Sequence, residues 1–231
     1  MTPLVIAHRG ASARVRENTL DAFAEARRLG ADMVELDVRR TADGALAVLH
    51  GPAVPGAGPV CELAADELPG WLPLLDAAVE ACAGMQVNVE LKDLPGEPGF
   101  DADHALAVAV ASWARAADVI DRLLISSFDL AAVDRVHAAE PSVRTAWLTA
   151  SGYDQLAAAR TCVSHGHVAL HPAEVGVTAA LVVDAHHLGL TVNAWTVDDP
   201  ARMRVLAGWG VDGIVTNTPD VLVDVIRGRQ P

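Results

Sequence analysis

Acidic residues stand at alternate positions in two short segments of the sequence. Glu35 and Asp37 lie in VELDV, and Glu90 lies in VNVELK. If these segments are strands, residues two apart share a face, so the acids face away from the intervening apolar residues. Three interior carboxylates repel one another unless a cation neutralises them, and oxygen ligands suit Mg²⁺ or Ca²⁺ better than Zn²⁺. The spacing predicts a divalent-cation site at these acids; the alternative is that each pairs with an Arg or Lys.

Two histidines, His8 and His50, each end a short apolar segment. His8 closes LVIAH, and His50 closes ALAVLH, which only a few residues separate from the VELDV strand. That connection is too short for a parallel crossover, so it must be a hairpin that returns His50 to within a residue or two of Glu35. We expect both imidazoles near the acids, because histidine is the side chain best suited to proton transfer near neutral pH.

Apolar β-branched segments alternate with Ala/Leu-rich segments along the whole chain. The predicted strands are 4–9, 32–38, 86–92, 122–128, 143–149, 167–172, 190–196 and 212–216. The predicted helices are 19–29, 73–83, 101–117, 129–139, 153–161, 178–188, 199–208 and 219–227. Eight of each favour an α/β fold, a closed (β/α)8 TIM barrel, as a single domain over residues 1–231 with a β-hairpin after the second strand. Barrels carry their chemistry at the C-terminal ends of the strands.

The sequence also indicates the structure of two further regions. Residues 51–72, rich in Gly and Pro, are expected to form a loop over the C-terminal face of the barrel. His165, His167 and His171 cluster around the sixth strand, and their alternate spacing can bind a metal ion. We expect His171 to line the site at the top of the barrel and His165 to lie on a surface loop.

Composition limits the classes of partner. The formal net charge of −13 argues against nucleic acid, since binding a polyanion needs Lys and Arg. An anionic substrate must then be attracted by local cations. Three widely spaced cysteines indicate buried free thiols. The sequence has neither a long uncharged apolar run nor a basic leader, so we expect no transmembrane segment and a cytoplasmic location; the oligomeric state stays open.

A series of short motifs resembles the glycerophosphodiester phosphodiesterase family, and they occur in the family's order. They are HRG (8–10), ENT (17–19), GADMVELDVRRTADGALAVLH (30–50), VELK (89–92), SSF (126–128), HP (171–172), NAWTVDD (193–199) and GVDGIVTNTPD (210–220). The resemblance implies metal-dependent cleavage of a small-molecule glycerophosphodiester to glycerol 3-phosphate and an alcohol. In the family's mechanism the neighbouring glycerol hydroxyl attacks phosphorus, and water opens the cyclic phosphate.

The resemblance also implies roles for individual residues. The metal ligands would be Glu35, Asp37 and Glu90, and the metal Mg²⁺ or Ca²⁺. His8 and His50 would be the general acid and base, in an order that stays open. Substrate would be bound by Arg9 and Lys92 at the phosphate and by Trp195 at the glycerol, with His171 lining the site.

The chain departs from the family pattern after His50. The family usually has an aspartate at the next position, where this chain has Gly51, and the insert that follows is replaced by a short loop. These departures leave two alternatives open. One is a phospholipase D-like cleavage of lysophospholipids that releases a cyclic phosphate. The other is a noncatalytic barrel that binds a phosphorylated ligand.

Overall fold

Strands and helices alternate along residues 2–228, the part of the chain that this computed structural model describes. The strands are β1 (Leu4–His8), β2 (Met33–Arg40), β3 (Leu46–Val48), β4 (Ala53–Val54), β5 (Gly58–Pro59), β6 (Gln86–Leu91), β7 (Leu123–Ser127), β8 (Arg144–Thr149), β9 (Ala169–Pro172), β10 (Thr191–Ala194) and β11 (Gly213–Thr216). The helices are α1 (Leu20–Leu29), α2 (Leu75–Ala81), α3 (Ala105–Ala116), α4 (Leu130–Ala139), α5 (Gln155–Ser164), α6 (Ala179–His187), α7 (Pro200–Trp209) and α8 (Pro219–Arg227). Each predicted strand and helix overlaps one of these elements.

Eight of the strands close into a parallel barrel. Their order is β1-β11-β10-β9-β8-β7-β6-β2, and β1 also pairs with β2, which completes the ring. A helix lies between each pair of successive barrel strands, which confirms the predicted (β/α)8 fold. No helix within residues 2–228 is both long and apolar enough to cross a lipid bilayer.

The predicted hairpin follows the second barrel strand. β2 pairs antiparallel with β3, with Val38 opposite Val48 and Arg40 opposite Leu46. Continued by two residues, this register places His50 opposite Leu36, one position from the predicted Glu35. The connection turns at Gly44, whose φ of 88° lies in the left-handed region that glycine adopts without strain.

The two faces of the barrel strands bury different sets of side chains. Residues facing outward, such as Val34, Leu36 and Val89, pack beneath the helices against α1 and α3. The lower interior holds two apolar groups, Ile6 with Met33 and Val215, and Leu124 with Ala146 and Ala169. The barrel is therefore filled by side chains below the ends of its strands, as closed barrels of this size are.

Local sequence determines where several helices begin and end. Thr19, Asp129 and Asp199 each accept a hydrogen bond from a backbone N–H in the first turn of α1, α4 and α7. Gly30 ends α1 in the left-handed conformation. The largest error in a predicted boundary is at α3, which starts at Ala105 rather than at position 101, because the Asp101 carboxylate accepts from the Ala105 N–H and holds the preceding residues in a turn.

Residues 51–72 are more ordered than the predicted loop. They contain the β4–β5 ladder and two 3₁₀ turns, Val60–Glu62 and Ala65–Glu67. Val54, Val60 and Leu72 form a small apolar cluster with Ala47 of the hairpin. The Ala42 N–H donates to Leu63 O over 2.9 Å, so the segment packs along the β2–β3 hairpin. Sequence periodicity gave no sign of this order because the contacts are made between irregular segments.

Candidate active site

Three carboxylates converge at the C-terminal ends of two adjacent strands. Glu35 and Asp37 come from β2 and Glu90 from β6, whose register sets Asp37 beside Glu90. All three are buried, and one oxygen of each lies within 4.8 Å of the others. The alternation of β2 produces this arrangement, since its valines and leucine face the helices. We refer to these three residues as the carboxylate group.

The carboxylate group carries an electrostatic cost in the absence of a metal ion. Burial and the neighbouring Asp37 raise the pKa of Glu90 to about 7 and hold that of Glu35 well above its ordinary value. Burial alone would also raise the pKa of Asp37, but the ammonium of Lys92 and the guanidinium of Arg9 lower it. A divalent cation would relieve the repulsion among the three acids.

The donor atoms also fit a hard divalent cation. Glu35 Oε1 is a buried oxygen with no hydrogen-bond partner among residues 2–228, and the nearest cation to the buried Asp37 Oδ1 is the Lys92 ammonium at 3.4 Å, which makes no hydrogen bond to it. Buried oxygens of this kind need a partner, and the oxygen-only set suits Mg²⁺ or Ca²⁺. The predicted ligands are therefore together, oriented and incompletely paired.

Two cations border the carboxylate group. Lys92 Nζ lies 2.6 Å from Glu90 Oε1 and 3.4 Å from Asp37 Oδ1. Arg9 Nε lies 3.1 Å from Asp37 Oδ2, and its Nη1 donates to the Glu17 carboxylate at 3.0 and 3.1 Å. Glu17 thus holds the guanidinium in place. The alternative prediction, that each acid pairs with its own Arg or Lys, is met only in part, because two cations border three acids.

The HRG and ENT motifs form one folded unit around Arg9. Arg9 has a φ of 56°, and its N–H donates to both the backbone oxygen (2.8 Å) and Oε2 (3.0 Å) of Glu35. A Cβ on Gly10 would come within 2.6 Å of the Ala22 backbone, so α1 can pack this closely only because residue 10 is a glycine. Asn18 donates from Nδ2 to Asp37 Oδ2 over 2.8 Å. The chain after β1 is therefore shaped by contacts to the carboxylate group.

A hydrogen-bonded chain orients His8. Its Nδ1 lies 2.7 Å from Asn217 Oδ1, and Asn217 Nδ2 donates to Asp198 Oδ2 over 2.6 Å. Since an amide oxygen only accepts, Nδ1 carries the proton and Nε2 is left with its lone pair, 3.9 Å from Glu35 Oε2. Burial and then the charge of Arg9 lower the pKa of His8. The imidazole is therefore held neutral in one tautomer.

His50 is positioned through its backbone. Arg39 is buried and donates from Nε (3.0 Å) and Nη2 (2.7 Å) to His50 O. The same guanidinium donates to Lys92 O and to Glu97, so it joins the end of β3 to the end of β6. Partial burial lowers the pKa of the His50 imidazole.

The predicted residues surround a cavity of about 190 Å³ at the top of the barrel. Its polar wall contains both histidines, the two cations, Glu35 and Glu90. The opposite wall is apolar, where Phe128 and Trp195 meet edge to face at 5.2 Å between ring centroids. Asp37 lies behind this surface, fully buried beneath Arg9 and Lys92.

His171 lies at the base of the same cavity. Its Nε2 accepts from Asn193 Nδ2 over 2.9 Å, and its backbone oxygen accepts from Trp195 Nε1 over 2.8 Å. Burial lowers the pKa of His171 to about 3, so it stays neutral. Its Nδ1 is buried with no hydrogen-bond partner among residues 2–228. His165 and His167 do not join it, because β9 begins only at Ala169 and both precede the strand at the other end of the barrel.

Four residues at the site were not predicted as site residues. Asn18 lies inside the ENT motif and Asn217 inside the GVDGIVTNTPD motif, but the motifs alone assign neither residue a role. Phe128 likewise ends the SSF motif. Arg39 lies inside the motif of residues 30–50, but an arginine near the end of a strand is ordinarily a surface residue and was given no role.

Comparison with known proteins agrees with this geometry. The sequence profile of the Glycerophosphoryl diester phosphodiesterase family matches residues 8–221. The chain belongs to this family. It is 30% identical to a glycerophosphodiester phosphodiesterase of Caldanaerobacter subterraneus subsp. tengcongensis, over 98% of this chain and 99% of the relative.

Two solved structures are also similar to this chain in three dimensions. A crystal structure from Silicibacter pomeroyi DSS-3, provisionally assigned to the same activity, superposes with a TM-score of 0.88 at 28% identity, covering 98% of this chain and 94% of that one. The glycerophosphodiester phosphodiesterase of Agrobacterium tumefaciens str. C58 gives 0.78 at 26% identity, covering 96% and 99%. The predicted enzyme family and fold are confirmed.

Proposed function

We propose that this chain hydrolyses glycerophosphodiesters to glycerol 3-phosphate and an alcohol, with a divalent cation, Mg²⁺ or Ca²⁺, bound at the C-terminal face of the barrel. The observation that carries the proposal is that Glu35, Glu90, two cations and two histidines line one cavity, with Asp37 directly behind its wall. Each set alone has a structural explanation. Together they supply a metal site, phosphate donors and proton-transfer groups within one pocket.

Glu35, Asp37 and Glu90 would hold the cation through carboxylate oxygens. When bound, the cation neutralises a nonbridging phosphate oxygen and stabilises the charge that develops there. Arg9 and Lys92 would donate to the remaining phosphate oxygens. These local charges answer the net charge of −13, which would otherwise repel an anionic substrate.

His8 and His50 would transfer the protons. The Asn217 contact fixes the proton of His8 on Nδ1 and leaves Nε2 free to accept one from an attacking hydroxyl or to return one to a leaving alcohol. Lowered pKa values keep both imidazoles neutral near pH 7. The order of acid and base stays open, because both face the same cavity.

The apolar wall would receive the glycerol. Trp195 is fixed by its hydrogen bond to His171 O and by its edge-to-face contact with Phe128. His171 also lines the cavity, and its Nδ1, which has no hydrogen-bond partner among residues 2–228, would donate to a hydroxyl of the substrate. Trp195 and His171 therefore account for binding of the glycerol part.

Product analysis separates this function from the two alternatives. The protein is incubated with Mg²⁺ and either glycerophosphocholine or lysophosphatidylcholine, and the products are followed by phosphorus NMR. Glycerol 3-phosphate from the first substrate is the expected result. Accumulation of a cyclic phosphate from the second would favour the phospholipase D-like reaction. Binding of glycerol 3-phosphate without turnover of either would favour the noncatalytic barrel that Gly51 leaves open.

Three further proposals accompany this function. A single domain over residues 1–231, a cytoplasmic location and the absence of nucleic acid binding rest on the sequence. The metal that the protein uses in the cell is equally a proposal, since both Mg²⁺ and Ca²⁺ suit the oxygen ligands.

A further inference from the structure

A second group of metal-ligating side chains lies at the opposite end of the barrel. Asp134 is on α4, and His165 and His167 stand between α5 and β9, below the first residue of that strand. One donor atom of each lies within 4.8 Å of the others. We call these three residues the Asp134 group. The function proposed above uses none of them.

We propose that the Asp134 group binds a transition-metal cation such as Zn²⁺, as a site separate from the carboxylate group. Two imidazole nitrogens and one carboxylate oxygen are the ligand types that Zn²⁺ prefers, whereas the carboxylate group offers only oxygen. The two sites lie at opposite ends of the barrel strands and differ in ligand chemistry.

The distances already approach those of a metal site. His165 Nδ1 lies 2.8 and 3.0 Å from the two oxygens of Asp134, and His167 Nε2 lies 3.1 Å from Oδ1. Metal–ligand bonds of about 2.0–2.2 Å place tetrahedral ligands roughly 3.3 Å apart. The two His–Asp separations are thus within a few tenths of an ångström of those in a tetrahedral site, and the two imidazole donor atoms lie within 4.8 Å of each other.

A hydroxyl group at the far side of His167 completes the arrangement. Thr145 Oγ1 lies 3.0 Å from His167 Nδ1, the position at which metal-binding imidazoles commonly meet a second polar group. In one tautomer Nδ1–H donates to Thr145 and the lone pair of Nε2 faces Asp134, ready for a metal ion; in the other, Thr145 donates to Nδ1, Nε2–H donates to Asp134, and a cation would displace that proton.

Gly166 lets both imidazoles face one carboxylate. Its φ of 83° is in the left-handed region, and a Cβ there would come within 2.9 Å of His137 Nε2. The HGH segment therefore turns sharply between its two histidines, and His137 packs against the turn with its ring 6.2 Å from that of His167. The side chains of Asp134 and His165 are 39% and 38% exposed, so an ion can enter from solvent.

The test measures Zn²⁺ binding to the intact protein by calorimetry, with excess Mg²⁺ present to occupy the oxygen ligands. His165→Ala is the main variant, since its exposed side chain can be removed without opening the core. His186→Ala is the matched control, because His186 also pairs with one aspartate, Asp212, at 2.8 Å. Asp134→Asn is a second variant that retains the side-chain shape.

The parent and His186→Ala are expected to bind one more equivalent of Zn²⁺ than His165→Ala, or to bind it at least about tenfold more tightly, and Asp134→Asn should behave like His165→Ala. Cobalt(II) should give visible absorption typical of nitrogen ligation in the parent and control alone. Turnover should be the same in all four proteins. Equal Zn²⁺ binding by parent and His165→Ala would overturn the proposal and leave Asp134 as a hydrogen-bond acceptor for two imidazoles.

Discussion

The two halves of the barrel interior differ sharply although they lie on the same strands. The lower half is packed mainly with apolar side chains, and in five of the strands the residue two positions further along is polar; after Ala146 of β8 it is Leu148, which lines the cavity. The pairs are Ile6 and His8, Met33 and Glu35, Leu124 and Ser126, Ala169 and His171, and Val215 and Asn217. Because alternate side chains on a strand share a face, moving two residues along these strands leads from a packed apolar side chain to a polar side chain at the site. Stability and reactivity are thus assigned to adjacent layers.

The layers also differ in their electrostatics. The lower layer has no charge to neutralise, whereas the upper layer holds three buried acids, two of which have raised pKa values. The upper layer therefore costs folding free energy in the absence of a cation, a cost that functional sites commonly carry. Substitutions in the upper layer should reduce turnover with little effect on stability, and substitutions in the lower layer should reduce stability with little effect on turnover.

The largest effect is expected from the histidines of the upper layer. His8→Ala and His50→Ala should each lower kcat by about 10²–10⁴-fold, the usual contribution of general acid–base catalysis. Circular dichroism and melting temperature should stay close to those of the parent, because neither imidazole fills the apolar core. His186→Ala, on the surface of α6, serves as the matched control. Parent-like turnover in both variants would remove them from the acid–base assignment.

The lower layer should respond in the reverse way. Met33→Ala removes a side chain that packs against Ile6 and Val215 and should lower the free energy of unfolding by about 2–5 kcal/mol. Turnover per folded molecule should remain within about twofold at a temperature well below melting, as no reacting group is displaced. Urea denaturation and steady-state kinetics measure the two quantities. A large loss of kcat in folded Met33→Ala would mean that the layers are not separable.

A smaller effect is expected from pH. Groups whose pKa is raised on folding stabilise the protein at low pH and lose that contribution as pH rises through the folded-state value. Glu90, with a pKa of about 7, and Glu35 should therefore lower the melting temperature of the metal-free protein between about pH 5 and pH 8, by a few degrees. Asp37, whose pKa is lowered, acts in the opposite direction only in more acidic solution.

Calorimetric melting in EDTA and in excess Mg²⁺ measures this dependence. Mg²⁺ should reduce the loss, since a bound cation favours the ionised acids. A melting temperature in EDTA that rises over the same interval would contradict the assigned repulsion within the carboxylate group.

The barrel and its carboxylate group could be predicted because both depend on local periodicity. Period two in β2 and β6 fixes which residues face inward, and the short connection after β2 requires the hairpin that returns His50. The contacts that orient these groups depend on distant parts of the chain. Asn217 meets His8 across 209 residues, and no local pattern encodes that pairing.

The histidine cluster shows the same limit. Alternate spacing grouped His165 and His167 with His171, on the assumption of a strand over 167–172. The strand begins at Ala169, and His167 instead turns outward to Thr145 and Asp134. His165 and His167 therefore lie before the strand, at the end of the barrel opposite His171, and His165 is exposed as expected for a surface loop.

The most direct test of the account is the metal dependence of glycerol 3-phosphate release from glycerophosphocholine in the parent and in Glu90→Gln. The account predicts no release in EDTA, recovery with added Mg²⁺, Ca²⁺ or Mn²⁺, and a requirement for at least about tenfold more metal in Glu90→Gln, which loses one carboxylate ligand. Full release in EDTA, or the same metal requirement in both proteins, would contradict a cation held by Glu35, Asp37 and Glu90.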